Sequence, residues 1–272
     1  MKFTLIFIWL TLTLDLFGQT IKLPTDSLIK KFHIKTITTY FNDDSTRHEL
    51  SNVWKFNDIG RLISNQLFDS EDSTKDIELS FYKSNLLYEI WNIGTWIKFD
   101  TVKTTYFYDY QNRKINETTV GKFNPFNCKT NGFKNSVTYT YLNDSVVVKK
   151  YVGNALTARG SGIDSIIYNK DKTFRLLINK ENDLKILYSY NDKKQLAAEV
   201  QMSNSNPDLI FHYNKYFYEN GQLIKEIIGH SIDGSKENNS ERIYYYTNDR
   251  NGLLIKIKRP MTYDTYEYEY YK

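Results

Sequence analysis

The chain has 272 residues, a formal net charge of +4 from 36 Lys and Arg against 32 Asp and Glu, and 16% aromatic residues. A hydrophobic fraction of 40%, with both charge signs mixed throughout, excludes a disordered polyelectrolyte. The single cysteine, Cys128, excludes an intramolecular disulfide, and the basic clusters at Lys149-Lys150 and 256–259 are too short for a nucleic-acid stripe.

In chain order, residues 1–18 read as a secretory signal: Lys2, an apolar run over 3–14, then Gly18 at a cleavage edge. The mature chain is expected to begin near Gln19 and to form a single β-repeat domain over 19–272. The apolar run is short, so no membrane span is expected after cleavage. The best helical stretch is Thr25–Phe32. Beyond it, segments of the form aromatic-x-aromatic, polar turn, aliphatic run recur along the chain. Their last aromatics are Phe56, Tyr82, Tyr108, Tyr141, Tyr168, Tyr190, Tyr218, Tyr246 and Tyr270, at intervals of 22 to 33 residues. Gly60, Gly221 and Gly252 close turns, with Asn or Asp serving elsewhere. Tyrosine at every second position, as in Val137–Leu142 and Tyr266–Tyr270, places rings on one face of a strand. The stretch 121–134, which holds Cys128, reads as an inserted loop.

The units Trp54–Leu62 and Tyr216–Leu223 carry the pattern aromatic-x-aromatic, acid or amide, Gly-x-Leu. In this the chain resembles the YD-repeat, or rearrangement-hotspot, family, over about residues 40–271. The resemblance implies repeated β-hairpins. It does not imply a toxin carrier, because the Asp-Pro-x-Gly-Arg segment of the large members is missing and the chain is too short for their shell. The expected fold is therefore all-β, an antiparallel meander of about nine β-hairpin repeats forming an elongated or curled sheet.

The chemistry-bearing residues form no enzyme signature. His33, His48, His212 and His230 show neither helical i, i+4 nor strand i, i+2 spacing, so no metal is expected. The acidic turns at 42–44 and 69–72 lack the glycine of a calcium loop. Ser161 lacks the Gly-x-Ser-x-Gly frame. No catalytic residue and no cofactor is expected. Tyrosine rows are the feature with binding potential, since their faces stack on sugars and their hydroxyls bond. Tyr188, Tyr190, Tyr216, Tyr218, Tyr244 and Tyr246 are the candidate binding residues, with core packing as the competing role. The expected function is a secreted cell-envelope binding or scaffold protein without catalytic activity, its partner an envelope protein or a surface glycan, not a nucleic acid. Its expected place is the periplasm, the cell surface or the medium. Two alternatives stand beside it: a glycan hydrolase with carboxylates on the sheet, and a small outer-membrane β-barrel. Against the barrel stand the charged stretches 69–76 and 170–180 and the terminal Lys272.

Overall fold

A computed structural model describes residues 26–43, 48–68, 74–94, 99–123, 133–152, 162–169, 171, 173–231 and 239–271. The expected signal, Cys128 and Ser161 lie outside these residues. A short helix, α1 (Asp26–Lys31), precedes eighteen strands. These are β1 (Ile34–Asp43), β2 (His48–Phe56), β3 (Leu62–Phe68), β4 (Thr74–Lys83), β5 (Leu86–Gly94) and β6 (Phe99–Tyr108). Then come β7 (Lys114–Phe123), β8 (Phe133–Asn143), β9 (Val146–Val152), β10 (Gly162–Tyr168), β11 (Phe174–Asn179) and β12 (Leu184–Tyr190). The last six are β13 (Leu196–Ser203), β14 (Ile210–Glu219), β15 (Gln222–Ser231), β16 (Asn239–Asn248), β17 (Leu254–Lys258) and β18 (Thr262–Tyr270).

One hairpin design repeats, and its turn explains the sequence motif. In Asn57–Arg61 the side-chain oxygen of Asn57 accepts the N–H groups of Ile59 and Arg61. Asp109, Asn191 and Asp249 do the same for the residues two and four places on. The fourth residue of each turn has positive φ: Gly60, Asn112, Lys194 and Gly252. Asn and Asp therefore open the turn, and glycine or a tolerant residue closes it. Each return strand then carries a β-bulge. Phe56 pairs with Leu62 and Lys55 with Ser64, leaving Ile63 unpaired. Tyr82, Tyr108, Tyr190 and Tyr218 repeat this register with Leu87, Lys114, Leu196 and Leu223. In β16 the equivalent place belongs to Asn248, not to Tyr246.

The sheet closes, which overturns the open or curled array of about nine hairpins. Strands β1 to β18 pair antiparallel in sequence, and β18 pairs with β1 to complete an 18-stranded barrel. Among the described residues, the last aromatic segment has no return strand after it, and β1 has no aromatic strand before it. Each supplies what the other lacks. Ile34 pairs with Tyr270 and Thr36 with Glu269, leaving Lys35 in the bulge position, and Tyr271 N–H donates to His33 O at 2.8 Å. The same register and the same backbone bond close the covalent hairpins, as at Asn57 N–H to Arg61 O. Bulges increase local twist and bend the strand, so a bulge in each hairpin curls the sheet toward closure.

Closure gives the wall an inside and an outside. Ile37, Trp54, Phe56, Tyr246, Ile257 and Tyr266 share the inward face and form a buried cluster with Ile29 of α1, which is 1% exposed. Helix α1 corks the barrel at the rim where both described chain ends and the short turns lie. Lys30 sits against the turn there, its backbone 3.2 Å from where a Cβ on Gly60 would stand. A second cluster, Val137, Tyr139 and Val147, lines the opposite wall. Only fifteen apolar side chains are buried among the described residues. Most of the wall is half-exposed, as expected of a single sheet around an interior too wide to fill, since barrels of about 16–18 strands leave an aqueous channel.

Candidate functional site

The six tyrosines singled out from the sequence all face the interior. Alternation along β12, β14 and β16 puts Tyr188 and Tyr190, Tyr216 and Tyr218, and Tyr244 and Tyr246 on the inward face. The intervening strands add carboxylates to the same patch. Tyr188 pairs across the sheet with Glu199, and both Tyr216 and Tyr244 pair with Glu226. The structure therefore brings the tyrosines together as one inward wall, not as an outward face. Their roles differ within it. Tyr246 is 9% exposed, belongs to the core cluster, and donates its hydroxyl to Glu226, itself 4% exposed. Tyr218 bonds Leu196 O at 3.0 Å. The Asn214 amide donates to the Tyr216 hydroxyl at 3.2 Å. The guanidinium of Arg259 lies 6.0 Å from the Tyr244 ring centre and is paired with Asp264 at 2.5 Å.

Tyrosine–carboxylate pairing recurs around the wall. Tyr139 donates to Glu117 at 2.9 Å, with Lys114 bound to the same carboxylate at 2.9 Å. Tyr151 donates to Asp164 at 2.5 Å, and the Asn179 amide adds a bond to that carboxylate at 2.7 Å. A cavity of about 140 Å³, roomy enough for ordered water, opens beside Glu117, Thr119, Asn135 and Tyr151. Buried side-chain oxygens of Asn65 and Asn214 have no hydrogen-bond partner among the described residues. Such a surface, with paired carboxylates, tyrosine hydroxyls and amides, suits polar ligands or water more than bond-breaking chemistry. Glu117, Asp164 and Glu226 are each held as acceptors by a phenol.

Sequence reasoning passed over Glu117, Glu199 and Glu226. The signal lay in the repeat itself, because each stands three places after the residue that pairs with the last aromatic of its hairpin: Lys114, Leu196 and Leu223. At the far rim, Asp183 ties two turns together. It accepts the Ser203 hydroxyl at 2.5 Å, and the Ser205 hydroxyl and N–H at 2.9 and 2.7 Å. The Ser203 bond, ahead of those from Ser205, holds its carboxyl below the usual range. No group of three or more metal-ligating side chains occurs among the described residues. No described helix is long and apolar enough to cross a membrane, which says nothing of strands.

No protein-family profile and no curated protein matches the sequence. Several solved structures do. A porin-like protein from Bacteroides uniformis ATCC 8492 is 12% identical over 87% of this chain and 98% of its own, with a TM-score of 0.39. One from Bacteroides vulgatus ATCC 8482 is 9% identical over the same shares, with a TM-score of 0.38. The TcdB2-TccC3-Cdc42 structure is 11% identical over 84% of this chain, with a TM-score of 0.33, and this chain spans only 15% of that one. At these scores none places the chain in a family, and the YD-repeat resemblance rests on the hairpin units alone.

Proposed function

We propose that the chain is a small outer-membrane-type β-barrel of the cell envelope, without catalytic activity, that works through its polar interior. The observation that carries this reading is closure with unequal rims. On the rim with the chain ends and α1, two to five residues separate consecutive strands, whereas on the opposite rim the separation reaches nine. An even number of antiparallel strands, short turns on one side and longer loops on the other is the layout of such barrels, and their interiors are polar. Here Glu78, Glu117, Asn135, Glu199 and Glu226 face inward. Some of the charge in the stretches that oppose a barrel in the sequence does not face outward. Asp76 faces inward, opposite Gly94, and Asp171 and Lys180 lie in turns. Outward positions include Leu79, Phe81, Trp91, Phe107, Leu187 and Phe217. An open sheet presenting a tyrosine face to a partner is no longer supported, because those rings point inward.

One observation favours a second reading. Lys215, Lys225, Lys256, Lys258, Glu267 and Glu269 also point outward, and a lysine at the bilayer midplane costs about 2–4 kcal/mol. A barrel standing in water within the envelope, its interior a compartment for a glycan or a peptide, meets no such penalty. Expression with the exported leader, followed by alkaline washing of membranes and detergent phase partition, separates the two. Retention in the washed membrane and the detergent phase supports the membrane barrel. Recovery as a folded, detergent-free species overturns it and leaves the water-standing barrel.

A further inference from the structure

We propose that His212 and His230 form a chelating site for a divalent transition-metal ion on the inner wall. The two residues are 18 apart in sequence and carry no spacing signal, yet they are direct cross-strand partners on β14 and β15. Their Nδ1 atoms lie 3.1 Å apart and their ring centres 4.5 Å apart, at an interplanar angle of 49°. With metal–nitrogen bonds of about 2.05 Å, that separation subtends an angle of about 100° at the ion. This falls between square-planar and tetrahedral geometry, so the Nδ1 spacing suits one cation once each ring turns its lone pair from the other ring toward the ion. The 3.1 Å separation suits a hydrogen bond in which one Nδ1 carries a proton and the other accepts it. On binding, the ion takes the place of that proton and the ring that carried it is protonated at Nε2 instead, so both rings bind through Nδ1 lone pairs with Nε2–H and no net proton is released.

The surroundings set the character of the site. Both rings are half-buried, so solvent supplies the remaining ligands, and no third histidine, cysteine or carboxylate joins them among the described residues. Two imidazoles with open positions favour borderline ions, with copper(II) above zinc. Arg242 lies on the same inward face, two places along β16 from Ser240, the partner of His230. Its charge weakens the affinity without occupying a ligand position. The site depends only on the hairpin register, not on whether the barrel stands in a membrane.

The test is titration of the purified full chain with copper(II) and with zinc, read by calorimetry and by electron paramagnetic resonance of the copper form. The expected result is one ion per chain, copper tighter than zinc, with nitrogen hyperfine structure from two imidazoles. His230→Gln should weaken binding at least about tenfold, a loss already typical for residues that only support a metal ligand. His48→Gln, which alters a ring stacked on Tyr40 at the far end of β1, should leave binding unchanged. If His230→Gln does not fold, the wild-type copper spectrum decides alone. Absence of stoichiometric binding, survival of binding in folded His230→Gln, or a spectrum without two imidazole nitrogens overturns the proposal.

Discussion

At the scale of single residues, two contacts on the barrel make sharp predictions. Tyr213 pairs with Gly229, Gly229 pairs with Glu241, and the Tyr213 hydroxyl donates to Glu241 across the glycine. A Cβ at position 229 would stand 2.2 Å from Tyr213 Cζ, so the ring occupies the space a side chain would need. The atoms met belong to the far end of the ring, which can swing outward. Gly229→Ala should therefore cost about 1 kcal/mol, the worth of the lost hydrogen bond, and not the fold. In a Tyr213→Ala background the sign should reverse, because alanine exceeds glycine in a strand by about 0.5–1 kcal/mol. Denaturant unfolding of the four variants checks this, and a constant penalty in both backgrounds would show that the ring lies elsewhere. Asp183 gives the second prediction. Its folded carboxyl titrates below an unfolded value of about 3.9, so its stabilisation is complete above that pH and is lost as pH falls through the folded value. Asp183→Asn should lower the melting midpoint near neutral pH. The gap from wild type should close on acidification below about pH 4. A gap that persists in acid would mean that the serine contacts do not depend on the charge.

At the scale of elements, tyrosine hydroxyls bind neighbouring hairpins to one another. Tyr82 donates to Leu62 O at 3.0 Å, Tyr108 to Leu87 O at 2.7 Å, Tyr141 to Lys114 O at 2.9 Å and Tyr218 to Leu196 O at 3.0 Å. Each bond runs from the last aromatic of one hairpin to the residue that pairs with the last aromatic of the hairpin before it. Where Asn248 replaces the aromatic, its amide makes the same rung to Leu223 O at 3.1 Å. This explains why the repeat favours tyrosine over phenylalanine, since the ring packs inward and its hydroxyl donates to a backbone carbonyl of the neighbouring hairpin. Tyr218→Phe keeps the ring and removes one rung, so it should cost about 1 kcal/mol in denaturant unfolding. Tyr108→Phe and Tyr218→Phe are far apart and should add. A phenylalanine variant as stable as wild type would deny the rungs any role. The hairpin was legible in the sequence because its determinants are local: the Asn or Asp that opens the turn, the residue of positive φ, and the aromatic before them. The glutamates of the inner wall were legible only as a fixed offset within the repeat. The His212–His230 pair was not legible, because it exists only once the register of β14 against β15 is known.

At the scale of the whole molecule, closure is the property that local patterns do not encode. The contact between β1 and β18 joins residues more than 200 positions apart, and a repeat predicts pairing to the next unit without saying where pairing stops. In hindsight the signal was an imbalance. Tyr266–Tyr270 had an aromatic strand without a return, and Ile34–Asp43 was a return without an aromatic strand. Joining them removes both exposed edges, which would otherwise invite pairing with other chains. A cross-link tests this directly. Thr38 and Glu267 are cross-strand partners on the outward face. Cα atoms of such partners lie about 4.5–5.5 Å apart, inside the span of a disulfide. With Cys128→Ser removing the native thiol, Thr38→Cys and Glu267→Cys should form a disulfide under mild oxidation, visible as a mobility shift that reductant reverses. Lys225→Cys with Tyr245→Cys, partners on β15 and β16, calibrates the yield for an undisputed pair of neighbours. Equal yields mean that the ring is shut in solution. A seam pair that stays reduced while the calibrating pair oxidises would return the molecule to an open sheet. The unequal rims, the enclosed tyrosine wall and the envelope reading built on them would then fall together, whereas the histidine pair, set within one hairpin, would remain.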